Sequence, residues 1–158
     1  MAPIPTLDRT DRAIIAVLQQ NARHSNKELA ASVGVAPSTC SERMRRLEAE
    51  GVFTGFHATV DPGALGIGLQ AMIAVRLRRH AAEEVDAFRR HAASMPEVTS
   101  VSHVTGPNDF LVHVVVRDAD HLRDLAVSGF TTMQEVDHIE TALIFEHMAK
   151  GTLPDLTG

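Results

Sequence analysis

The 158-residue sequence predicts an α+β protein: an N-terminal three-helix helix-turn-helix domain followed by a C-terminal ferredoxin-like βαββαβ sandwich. Three observations predict it. Asn26 to Gly51 reads as two short helices around a glycine turn. After Gly51 the apolar pattern changes from helical to extended. From Leu69 onward the segments run strand, helix, strand, strand, helix, strand.

The first helix is expected from Leu7 to Gln20. Thr6 or Asp8 can cap it, Asp11 suits the positive end of its dipole, and Ile14, Ile15, Val17 and Leu18 form its apolar face. In the second helix Leu29, Ala30 and Val33 share a face, and Ser25 with Glu28 has capping-box spacing. Gly34 ends that helix, because glycine takes the left-handed conformation without penalty. Pro37 suits the first turn of a third helix, where its missing N–H is no loss. Cys40, Met44 and Leu47 then fall on one side of it. The opposite side carries Ser38, Glu42, Arg45 and Ala49, flanked by Thr39 and Arg46. The expected core of this domain is Ile14, Leu18, Leu29, Val33, Cys40, Met44 and Leu47. Cys40 reads as a small buried hydrophobe rather than a redox switch.

Val52, Phe53, Phe56, Ala58 and Val60 read as a strand or extended linker, closed by the Asp61-Pro62-Gly63 turn. The domains are set at 1–51 and 69–148, with a linker over 52–68 and a loose tail over 149–158. In the second domain Ala71 to Leu77 is a strand, Ala82 to Met95 a helix and Val98 to Val104 a strand. Gly106 to Asp109 turns into a strand over Phe110 to Val116. A helix capped by Asp118 or Asp120 carries Leu122, Leu125, Ala126 and Phe130, and Ile139 to Glu146 alternates as the last strand. Both helices cover one side of the sheet. The apolar side chains left on the other side argue for dimerisation through it.

Composition narrows the function. An apolar fraction of 44% with 22% charged residues is that of a globular protein, and no apolar run approaches the length of a membrane span. The first twelve residues lack a signal peptide's apolar core, and a single cysteine excludes an internal disulfide framework, so a cytoplasmic location is expected. The net charge of -5 divides unevenly. Residues 1–55 hold seven Lys/Arg and six Asp/Glu, net +1, which leaves -6 for the remainder. DNA affinity depends on local phosphate neutralisation, so the mildly basic N-terminal part, with Arg43, Arg45 and Arg46 together, still fits DNA, acting in two or more copies. Arg45 and Arg46 are assigned to phosphates or guanine edges, with Ser38, Thr39 and Glu42 nearer the bases. Asn26 and Lys27 are assigned to a phosphate at the second helix's N-terminus. Eight of nine histidines lie in residues 56–158, four of them (His103, His113, His138 and His147) on expected strands. No HxH or HxxxH spacing marks a metal site.

The chain from about Leu7 to Met148 resembles the Lrp/AsnC (feast/famine) transcription regulators. The carrying residues are Leu7-Asp8 with Asp11, Asn26 to Ala30, Val35 to Cys40, Arg43 to Glu48 with Gly51-Val52, and Thr105 to Phe110. The resemblance implies a dimer, or a tetramer or octamer built from it, that binds double-stranded DNA. It also implies a small effector, usually an amino acid, held between protomers beside Thr105, Gly106, Pro107, Asn108 and Asp109. In that family the loop's amides and its Asp contact the effector's carboxylate and ammonium. Gly106 permits close backbone approach and Asp109 can pair an ammonium, though a plain hairpin turn uses the same residue types; Pro107 removes one donor. Thr131, Thr132 and Met133, ahead of the last strand, are placed at the same pocket. No metal or cofactor is implied. Siroheme decarboxylases resemble the same architecture, and the histidine-rich second domain keeps that enzyme as the alternative reading.

Overall fold

The computed structural model describes residues 6–156. The ends of the expected N-terminal domain and tail, and the start of the signal-peptide reading, lie outside it. The chain divides into two units, one running to Thr59 and taking in the chain from Met148 onward, the other spanning Val60–His147.

In the first unit α1 spans Arg9–Gln20, α2 Asn26–Val33 and α3 Pro37–Ala49. The first helix starts two residues later than expected because Asp8 is its N-cap. Asp8 accepts from the Asp11 N–H at 2.9 Å, and the Asp11 carboxylate accepts from the Asp8 N–H at 3.0 Å. Ser25 and Glu28 form the same box on α2, and the hydrogen bonds from Ser25 hold the Glu28 carboxyl below its ordinary value. Gly34 takes φ 73°, ψ 36°, and the Val35 N–H reaches back to the Ala30 carbonyl at 3.0 Å, turning the chain into α3. The core is Ile14, Leu18, Leu29, Ala30, Cys40 and Leu47; Val33 and Met44 are only partly buried at its edge. Cys40 is fully buried and its thiol is pushed up by that burial, as a structural cysteine should be.

Val52 to Val60 carries no strand, which leaves the extended linker of the two forms expected. The tail is not loose. The Gln19 side chain brackets the Leu153 backbone, donating to its carbonyl at 3.4 Å and accepting its N–H at 2.5 Å, and Arg12 meets Asp155 at 3.0 Å. The tail's polar composition hid partners more than a hundred residues away.

The second unit runs β1 (Leu69–Leu77), α4 (Ala82–Ser94), β2 (Val98–His103), β3 (Phe110–Val116), α5 (Ala119–Leu125) and β4 (Val136–Leu143). The strands form one antiparallel sheet in the order β2-β3-β1-β4. Alternation sends Ala71, Ile73, Val75 and Leu77 of β1, with Phe110, Val112, Val114 and Val116 of β3, into a core shared with Phe88, Leu122, Leu125 and Phe130. Phe88 lies 4.7 Å from Phe110 and 6.2 Å from Phe130 between ring centres. The fifth helix is not uniform. Asp118 caps it, but from Ala126 to Thr131 it widens to a π-turn that drives Phe130 into the core. The last strand lies three residues earlier than expected. Leu143 pairs with Ala71 and the Ile144 N–H with the Gln70 carbonyl, after which β1 supplies no further partner. His147 therefore lies past the strand.

Candidate nucleic-acid interface and ligand loop

Helix α3 presents Ser38, Thr39, Glu42, Arg45 and Arg46 to solvent, while Cys40 and Leu47 anchor its back. Its tilt is set by a buried carboxylate. Asp11 is fully buried and receives Arg43 at 2.8 Å on Oδ1 and Arg46 at 2.5 Å on Oδ2; Arg43 also reaches Asp8 at 2.6 Å. The Asp11 N–H and Arg43 together hold the Asp8 carboxyl down at about 2, and the two carboxylates hold the Arg43 guanidinium above its ordinary value. Two of the three arginines that looked like one cationic patch thus clamp α3 to α1. Arg46 keeps an exposed edge while its inner N–H is committed to Asp11. Arg45, by contrast, forms no ion pair with any described residue. It lines one groove with Asn26, Ser41 and Glu48.

At the α2 end, Asn26 donates to the Pro37 carbonyl at 2.9 Å, tying the starts of α2 and α3 together. Its amide is therefore a clasp first. Lys27 beside it is exposed. The first amides of α2 remain turned outward, since Ser25 takes only the Glu28 N–H.

In the second unit the 104–109 loop joins β2 to β3. Gly106 sits at φ 121°, a region open to glycine, and a Cβ there would meet nothing. The loop is pinned at both ends: the Val104 N–H donates to the Asp109 carbonyl at 2.9 Å and the Asp109 N–H to the Val75 carbonyl at 2.8 Å. No described residue accepts from the N–H of Thr105, Gly106 or Asn108. The Asp109 carboxylate turns in, taking the Leu77 N–H at 2.7 Å, with His80 Nε2 2.8 Å from its other oxygen. Thr131 and Thr132 spend their hydroxyls on their own turn, on the carbonyls of Ala126 (3.0 Å) and Ser128 (2.9 Å); Met133 packs against the core. Register places both segments at one end of the sheet, since Phe110 pairs with Val75 and Val136 with Leu77 on the two flanks of β1.

Sequence reasoning named Asp11 and Arg43 but missed their pairing, and it missed His80. Arg43 and Arg46, three apart on one helix, share a side, and that spacing was the available signal for a common buried partner. Among the described residues there is no group of three or more metal-ligating side chains and no helix long and apolar enough to cross a membrane.

Comparison with known proteins finds a match to each part of the chain. Residues 7–54 match a family described as winged helix-turn-helix DNA-binding, and residues 70–154 match the Lrp/AsnC ligand binding domain. The chain is 43% identical over 148 residues to the HTH-type transcriptional regulator AldR of Mycolicibacterium smegmatis, covering 94% of this chain and 86% of that protein. It is 32% identical over 146 residues to the leucine-responsive regulatory protein of Escherichia coli K12, covering 92% and 89%. Among solved structures, a Neisseria meningitidis transcriptional regulator in complex with L-Met superposes with a TM-score of 0.88 at 30% identity, covering 96% of this chain and 98% of that one. E. coli AsnC gives 0.84 at 28% identity, covering 94% and 99%. The tetrapyrrole-enzyme alternative falls with these matches, and the chain belongs to the Lrp/AsnC family: it is a DNA-binding transcription regulator with a ligand-binding domain.

Proposed function

We propose that this regulator acts in the cytoplasm as a dimer or higher homo-oligomer, reads two DNA half-sites with α3, and changes affinity or assembly when an amino acid binds its second domain. The observation that carries the DNA reading is the outward row Ser38, Thr39, Glu42 and Arg45 on a helix locked from behind by Asp11. Arg45 reaches a base edge or phosphate, Ser38, Thr39 and Glu42 lie nearer the bases, and the free edge of Arg46 adds a phosphate contact. Lys27 and the amides beside Asn26 hold a second phosphate at the start of α2.

Assembly is supported by the helix-free sheet face. Met72, Ala74, Leu111, Val115, Ala142 and Ile144 alternate onto it and stay exposed or half-buried. A second copy would cover them, with Glu140, His113 and Arg76 on the same face left to pair or stay at the rim. The effector reading rests on the free amides of Thr105, Gly106 and Asn108 beside the Asp109 carboxylate, which suit a carboxylate and an ammonium respectively. Thr131, Thr132 and Met133, at the same sheet end, border the pocket. The effector acts only through a difference in affinity between two assemblies or orientations.

A gel shift on the DNA upstream of its own gene, with and without a panel of common amino acids, tests both parts. A shift altered by one amino acid supports the full reading. A shift indifferent to all of them removes the amino-acid effector. Absence of any shift at low salt, where phosphate contacts are strongest, overturns the DNA assignment.

A further inference from the structure

The two oxygens of Asp109 are used differently. Oδ2 accepts the Leu77 N–H at 2.7 Å, a bond fixed by the end of β1. Oδ1 meets His80 Nε2 at 2.8 Å, and no other described side chain reaches it. The Asp109 side chain is only 13% exposed, whereas that of His80, in the connection from β1 to α4, is 68% exposed. A solvent-facing imidazole thus stands against the one carboxylate oxygen that a cation from outside can use. The free amides of Thr105, Gly106 and Asn108 lie on the same loop.

We propose that His80 is the group an effector's ammonium displaces. In the free protein the imidazole occupies Asp109 Oδ1. In the complex the ligand's –NH₃⁺ takes that place while its carboxylate takes the loop amides. The inference rests on the effector reading above and names the group that competes for that site. A pair whose imidazole stands largely in solvent holds weakly, so its removal favours the ligand.

The test is calorimetry on the intact protein with the common amino acids and their matching 2-oxo acids, for wild type, His80→Ala and Asp109→Asn. NMR of the His80 ring accompanies the titration. The effector amino acid is expected to bind His80→Ala about 1.5- to 5-fold tighter than wild type and Asp109→Asn not at all. The 2-oxo acid, lacking the ammonium, should gain nothing from His80→Ala. The His80 ring signals should move on saturation to where Asp109→Asn places them without ligand. Equal or weaker binding by His80→Ala, with Asp109→Asn inactive, overturns the inference and leaves the effector reading standing. If Asp109→Asn fails to fold, unmoved His80 signals on saturation of wild type overturn it just as directly. Amino-acid binding to none of the three proteins overturns both.

Discussion

Replacing Asp11 with Asn removes the charge at the centre of the first unit while keeping its shape. The Asn oxygen can still accept the Asp8 N–H, so the helix cap survives, but the amide now points a donor at an arginine. Hydrogen bonds to charged groups contribute about 1.5–3 kcal/mol each, and breaking a fully buried ion pair costs about 3–5 kcal/mol. Here the partners are not fully buried: Arg43 is 26% and Arg46 44% exposed, and Arg43 retains Asp8. Water and Asp8 recover part of the loss, which places the cost near the low end, about 2–3 kcal/mol. For a unit of this size that lowers its melting temperature by roughly 10–20 °C. Urea unfolding followed by circular dichroism measures it, since the chain has no Trp or Tyr for fluorescence. A loss below about 1 kcal/mol would refute the idea that Asp11 organises α1 and α3.

Arg45→Ala should weaken specific DNA binding by about 1–3 kcal/mol if it meets a base, or lower the salt slope by about one if it meets a phosphate. Anisotropy titrations across salt would read either, and unchanged affinity and slope would remove Arg45 from the interface. Phe88→Ala opens the aromatic core beside Phe110 and Phe130 and should cost about 3–5 kcal/mol, read by denaturant unfolding. Acid should act through Asp8. Its carboxyl is held at about 2 when folded but titrates near 3.8 otherwise, so its contribution is complete above that ordinary value and disappears as pH falls through about 2. Asp8→Asn should lose that step in an acid titration of helicity. Leu111→Glu places a charge on the helix-free sheet face and should yield monomers by sedimentation; an unchanged oligomer would show that assembly uses another surface.

What the sequence made legible was local. Ser25 with Glu28, Gly34, Pro37 and the Asp118 cap each declare their role within four residues, and the structure uses each one so. The strands of the second unit announce themselves by alternation. What stayed hidden was distant pairing. Asp11 reads as a dipole partner because its arginines lie 32 and 35 residues away. Gln19 gives no sign of meeting Leu153 across 134 residues. The π-turn hid because Leu122, Leu125 and Phe130 fit an ordinary helix well enough. At the 104–109 loop the residue types of Thr105 to Asp109 were readable, but His80 lies on another connection and no spacing rule links it to Asp109.

Helix α3 divides its thirteen residues by task. Positions 40, 43 and 47 face inward, and 46 clasps Asp11, so they answer to the fold; 38, 39, 42 and 45 answer to nothing inside the protein. The second set is therefore free to drift. If, as proposed, these four read DNA, a lineage can exchange them and acquire a different operator without repaying the change in stability, since exposed substitutions move stability by only about 0.5 kcal/mol. An engineer can do the same: swapping this quartet alone should retarget the regulator, whereas a graft that also alters Arg43 or Arg46 should need a matching change at Asp11.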